Sequence, residues 1–104
     1  MGPLQGMRII ELVGIGPGPF AGMMLADMGA EVIAVDRMQA GNAPSLKVDI
    51  CRRGKQSIKL DLKSERGREL FLSLCESADA VFEGFRPGTV EKLGIGPDDC
   101  LARN

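Results

Sequence analysis

Between Met7 and Arg37 the apolar positions fall into three blocks around a single glycine and proline turn. MRIIELV places Ile9, Ile10, Leu12 and Val13 in a run that suits a strand buried on both faces. Glu11 interrupts it, and a buried strand tolerates an acid best where the chain is about to leave the sheet. Gly14, Gly16 and Gly18 alternate with Ile15, Pro17 and Pro19, giving a turn whose backbone can approach another molecule closely. From Phe20 to Ala30 the residues Phe20, Met23, Met24 and Met28 recur near helical spacing. Pro17 or Pro19 suits the first helical turn and Gly29 the left-handed position after the last. Val32 to Val35 is a second apolar strand, with Asp36 and Arg37 at its carboxyl end. Strand, turn, helix and strand in that order predict a right-handed crossover between parallel strands, with a ligand-binding edge.

The pattern weakens after Arg37. Met38 to Asp49 shows little periodicity and is expected to be a loop long enough to be functional. Arg52, Arg53 and Lys55 then cluster around Gly54, and from Ser57 the run IKLDL alternates apolar and charged residues, as a half-buried strand does. Ser64 is placed to cap a helix from Glu65 to Ser77 with Leu70, Phe71 and Leu74 on its packed face. AVFE, within Ala78 to Glu83, reads as a further buried strand that exits through Gly84, Phe85, Arg86, Pro87 and Gly88. Thr89 to Leu93 is a helical turn ended by Gly94, and Pro97 opens a last amphipathic segment. The whole, residues 1–104, is read as one α/β domain.

Composition narrows the chemistry. Thirteen basic and 14 acidic side chains leave a net charge of -1, so no global field argues for nucleic acid or a membrane surface. There is no histidine, which removes the commonest general base and metal ligand. Cys51, Cys75 and Cys100 lack the paired spacing of a zinc site and read as reduced thiols, Cys75 on the packed face of its helix. No apolar stretch is long enough to span a membrane and no signal peptide is evident, so a cytoplasmic or organelle-matrix protein is expected.

Two constellations have both a functional and a structural reading. Gly14, Gly16 and Gly18 with Asp36 resemble a dinucleotide fingerprint, but the third glycine of that pattern would fall at Pro19, and two prolines remove backbone donors that a pyrophosphate would want. Arg37, Arg52, Arg53, Lys55, Lys63, Arg86 and Lys92 lie mostly at predicted strand ends or in adjoining loops. They are either a phosphate-binding set or solvated surface charges. No spacing marks two of Glu11, Asp36, Glu83, Asp98 and Asp99 as an acid and base pair, and structural roles are expected for all five.

Five blocks in order, PLQGMRIIEL, GIGPGPF, LADMGAEVIAVDR, RRGKQSIKLDLK and FEGFRPGTVEKLGIGP, resemble the class III coenzyme A transferases and, within them, the alpha-methylacyl-CoA racemases. The resemblance runs from Pro3 to Asn104. It implies the amino-terminal portion of that fold, a Rossmann-like, partly parallel sheet flanked by helices. It also implies binding of the coenzyme A moiety of an acyl-CoA without a metal or prosthetic group. Carried over by position, Ile15 would lie near the pantetheine or thioester and Arg37 at the adenosine or phosphate end. Leu60 and Lys63 would line the nucleotide, Gly84, Phe85 and Arg86 would stand beside adenine and phosphate, and Lys92 would contact a phosphate. Full-length members form interlocked homodimers, and a eukaryotic member would sit in the peroxisomal or mitochondrial matrix.

The chain departs from the family pattern in two ways. Met38 stands where the family usually has proline, which leaves the loop after Arg37 less constrained. The catalytic groups, an aspartate in the transferases and a histidine with an aspartate in the racemases, are expected beyond residue 104. An acyl-CoA:carboxylate transferase fragment, a stand-alone coenzyme A or nucleotide-binding module, and a subunit completed by another chain are the alternatives. Racemisation needs protonatable groups on both faces of the α-carbon and donors for the enolate oxygen. The isolated polypeptide is therefore expected to catalyse no exchange of the α-proton of a 2-methylacyl-CoA in deuterated buffer, as followed by NMR.

Overall fold

A computed structural model describes residues 2–14, 16–37 and 50–104. Strands β1 (Arg8–Leu12), β2 (Glu31–Arg37), β3 (Gln56–Leu60) and β4 (Ala80–Phe82) form one sheet in the order β3-β2-β1-β4. All three pairings are parallel, where a partly parallel sheet was expected, with Ile10 opposite both Ile33 and Val81 and Val35 opposite Ile58. The first crossover helix is α1 (Pro17–Asp27), the second is α2 (Glu65–Cys75), and two short helices, α3 (Thr89–Lys92) and α4 (Pro97–Arg103), follow β4. The predicted loop over Met38 to Asp49 lies outside the described residues.

Helix boundaries follow the sequence cues. Ser64 caps α2, its Oγ accepting from the Gly67 N–H at 2.9 Å, as expected of a serine just before an apolar-periodic run. A side chain at Gly67 is excluded, because its Cβ would stand 1.9 Å from the Asp61 carbonyl. Gly29 has φ of 102°, the left-handed geometry predicted for the residue that turns α1 into β2. Helix α1 begins at Pro17, one of the two prolines expected in its first turn, whose fixed φ suits that position.

The period of two along the strands divides the core into two sides. Ile10, Leu12, Val35 and Leu60 face α2 and pack with Phe71, Leu72 and Cys75, while Ile9 and Val32 face α1 and pack with Ala30, Leu25 and Ala26. Phe71 and Ile10 are fully buried, each such side chain worth roughly 1.5–3 kcal/mol. The two outer strands depart from the sequence reading. β4, expected to be buried, is an edge with Ala80 exposed and Val81 and Phe82 half-buried. β3 is the other edge, where Ile58 remains exposed and only Leu60 reaches the core. An apolar run records what a strand can bury and not which neighbours the topology gives it.

One charge lies inside this frame. Glu11 is 0% exposed, at the carboxyl end of β1, and its Oε1 stands 2.6 Å from Nζ of Lys55. Neither carboxylate oxygen has a hydrogen bond of good direction, so the attraction is that of two close charges. Nζ also donates to the Pro19 carbonyl at 3.0 Å, joining the pair to the first turn of α1. Gly22 makes room for it: a Cβ there would lie 2.1 Å from Glu11 Oε1.

Removing one member of a buried ion pair strands the other charge. Lys55→Met is expected to cost about 3–5 kcal/mol in urea unfolding, and adding Glu11→Leu to recover most of that loss. Gly22→Ala is expected to destabilise the chain in the same assay, although alanine is the better helix former by about 1 kcal/mol.

Candidate functional site

The sheet order places the reversal of strand order between β1 and β4, which run parallel: β2 and β3 extend to one side of β1, and β4 is added on the other. In open parallel sheets ligands bind outside the carboxyl ends of the strands at such a point. Here that edge is made by the glycine turn after β1, by Asp36 and Arg37 ending β2, by Leu60 ending β3, and by Glu83 to Gly88 after β4.

The turn after β1 is a poor anion cradle. Gly16 precedes α1 with φ of 84°, and Pro17 occupies the first helical position with Pro19 two residues on, so two of the first N–H groups are absent. Asp36 is not free for a ribose either. Arg52 holds it through two hydrogen bonds, Nη1 to Oδ2 at 2.7 Å and Nη2 to Oδ1 at 2.6 Å. The dinucleotide reading of this stretch therefore lacks both its donors and its acid.

Pairing sorts the seven cations singled out in the sequence. Arg52 is bound to Asp36, Arg53 to Asp27 of α1 at 2.5 Å and 3.1 Å, and Lys55 to the buried Glu11. The Arg53 hydrogen bonds hold the exposed Asp27 carboxyl below its ordinary range. These three basic positions, within the four residues Arg52 to Lys55, brace α1 and its side of the sheet. Among the described residues no acid lies within ion-pair range of Arg37, Lys63, Arg86 or Lys92, all of which are exposed; the exposed Lys59 and Arg66 and the half-buried Arg68 also lack one.

Arg37 meets an aromatic ring instead. Its guanidinium carbon stands 5.8 Å from the centroid of Phe85, a cation–π distance. A Cβ on Gly14 would lie 3.6 Å from the same ring, an ordinary van der Waals contact, so the turn after β1 and the loop after β4 are close neighbours. The Phe85 N–H donates to Glu83 Oε2 at 2.6 Å, which fixes the loop's first bend. Arg37 is opposite Leu60 in the β2–β3 register, and Leu60 is 6% exposed, so it supports the edge from the core and offers little surface. Gly84 has open space around its α-carbon. Lys63, Arg86 and Lys92 are on neighbouring segments without a hydrogen bond or ion pair to the Arg37–Phe85 cluster, and Ile15 lies outside the described residues. The geometry thus brings Gly14, Arg37, Leu60 and Phe85 together directly.

Sequence reading missed the acids that take Arg52, Arg53 and Lys55, because those acids stand on β2, α1 and β1, far away along the chain. The one available signal was Glu11 itself, an acid in an apolar strand that requires a partner. Among the described residues no three His, Cys, Asp or Glu side chains are grouped to hold a metal ion, and no helix is long and apolar enough to cross a membrane.

Comparison with known proteins agrees with this architecture. The chain is 45% identical over 101 residues to alpha-methylacyl-CoA racemase of Mus musculus and 46% identical over 103 residues to the Homo sapiens enzyme, covering 97% of this chain and 25% of each relative. It is 40% identical over 115 residues to a probable fatty acyl-CoA transferase of Mycobacterium tuberculosis, covering 29% of that protein. The crystal structure of Rv3272 from M. tuberculosis superposes with a TM-score of 0.86 at 41% identity, over 100% of this chain and 30% of that one. A CAIB/BAIF family protein from Brucella suis gives 0.84 at 35% identity, over 99% and 31%. The chain thus spans between a quarter and a third of the length of these relatives. The family model for CoA-transferase family III matches residues 4–104, and the chain belongs to that family.

Proposed function

We propose that this chain is the coenzyme A-binding part of an alpha-methylacyl-CoA racemase-like enzyme. The observation that supports this reading is the division of the cations. Arg52, Arg53 and Lys55 are spent on internal acids, while Arg37, Lys63, Arg86 and Lys92 are exposed with no acid in ion-pair range among the described residues. Coenzyme A carries a pyrophosphate and a 3'-phosphate at its adenosine end, and an edge with several unneutralised cations and an aromatic face suits that end. In this reading Arg37 and Phe85 receive the adenosine, with Leu60 beneath and Gly84 leaving space beside it, and Lys63, Arg86 and Lys92 meet phosphates. The glycine turn with Ile15 passes the pantetheine arm toward the thioester.

The reaction of the whole enzyme would remove the proton α to the thioester and return it to the opposite face through an enolate, using acid and base groups outside these residues. The interlocked homodimer implied by the sequence resemblance belongs to the same proposal. A second reading, an acyl-CoA transferase, is supported by 40% identity to the mycobacterial transferase, and it uses the same nucleotide end.

Titration calorimetry with coenzyme A and 3'-dephospho-coenzyme A is expected to show tighter binding of the former. Alanine at Arg86 or Lys92 is expected to weaken coenzyme A roughly fivefold or more, about 1 kcal/mol for a solvent-exposed charged contact, and to reduce the preference for the 3'-phosphate. Negligible heats with both ligands would remove the binding role.

A further inference from the structure

Cys75 and Cys100 are far apart in the chain and meet across the packing of α2 on α4, with their sulphurs 3.9 Å apart. The contact is held from several sides. Asn104 donates from Nδ2 to the Cys75 carbonyl at 2.8 Å and to the Ala78 carbonyl at 2.9 Å, closing the end of α2. Arg103 pairs with Glu69 at 3.0 Å and with Glu76. Cys75 is buried, and its thiol donates to Cys100. Cys100 is half-buried, donates to the Ile95 carbonyl at 3.4 Å, and borders an apolar groove of about 520 Å³ beside Val81 and Leu101 along the open side of β4. Both cysteines thus border the groove, Cys100 the more exposed of the two.

We propose that Cys75 and Cys100 form a dithiol site that a small-molecule disulfide, such as oxidised glutathione, converts to an intramolecular disulfide. The Cys100 thiolate attacks one sulphur of the reagent, displaces one thiolate and carries a mixed disulfide. Cys75 then loses its proton, attacks the Cys100 sulphur and displaces the second thiolate. Two protein thiols are oxidised, the reagent is reduced to two thiols, and the two protons released pass to them. The protein sulphurs must approach by about 2 Å to reach disulfide bonding distance, a movement within reach of a side-chain rotation on a short surface helix. The product fastens α4 to α2 and sets one wall of the groove along β4.

Both thiols resist ionisation. Burial, followed by the neighbouring Cys100, pushes Cys75 up to about 12, and burial raises Cys100 as well. Both steps are therefore slow at neutral pH and quicken as pH rises.

The 104-residue chain carrying Cys51→Ser, incubated with excess oxidised glutathione and then quenched in acid, is expected to lose about 2 Da, retain no titratable thiol and yield a Cys75–Cys100 linked peptide. The unmodified chain should give the same linked peptide, with Cys51 free to take a glutathionyl group of its own. Cys51→Ser combined with Cys75→Ser should stop with one glutathionyl group on Cys100. The oxidised chain should also melt at a higher temperature than the reduced one. Stable glutathionylation of the unmodified sequence without the linked peptide, or a link that includes Cys51, would overturn the proposal.

Discussion

A carboxylate with no exposed surface needs a cation close by, and the position of Glu11 therefore constrains much of the molecule. Its partner, Lys55, lies just before β3, so the pair reaches from β1 across β2 to the far edge of the sheet. The same ammonium holds the first turn of α1 through the Pro19 carbonyl, and the helix can lie so close only because position 22 has no side chain. A buried ion pair contributes less to net stability than apolar packing of equal volume, but it penalises any arrangement in which either charge is left alone. Its role here is to fix which segments are adjacent. Arg52 and Arg53 extend that role. The run RRGK takes one acid each from β2, α1 and β1, so four consecutive residues connect three elements on one side of the sheet.

The backbone plan was largely legible in the order of residues, for physical reasons. Ser64 could be read as a cap and Gly29 as a left-handed turn because each acts through its own few neighbours. The edge positions of β3 and β4 were not legible. Whether a strand is flanked on one side or two is decided by the return of the chain across β1, and AVF has the same composition either way. Charge pairing was hidden for a related reason. Asp36 and Arg52 are 16 positions apart and Glu11 and Lys55 farther still, and no local spacing links them. Cys75 was correctly read as packed, whereas its neighbour Cys100 came into view only when α4 was seen to fold back on α2.

The candidate site divides along the same line. Its members came from a family resemblance, and residue chemistry alone left seven cations undivided. Tertiary pairing separates them into three that brace the scaffold and four that face solvent, and that division coincides with the positions the resemblance had selected.

The bidentate contact between Arg52 and Asp36 has a consequence for the charge at the end of β2. A carboxylate at the end of the second strand is the feature by which related frames select a ribose, and this chain retains it in place. An arginine from a distant segment turns it inward, and Arg37, the next residue, is left facing outward with the opposite charge. Of two adjacent side chains with opposite charge, the acid is thus engaged within the protein and the base is left to the surface, and a single guanidinium from a distant segment decides which charge this strand end presents.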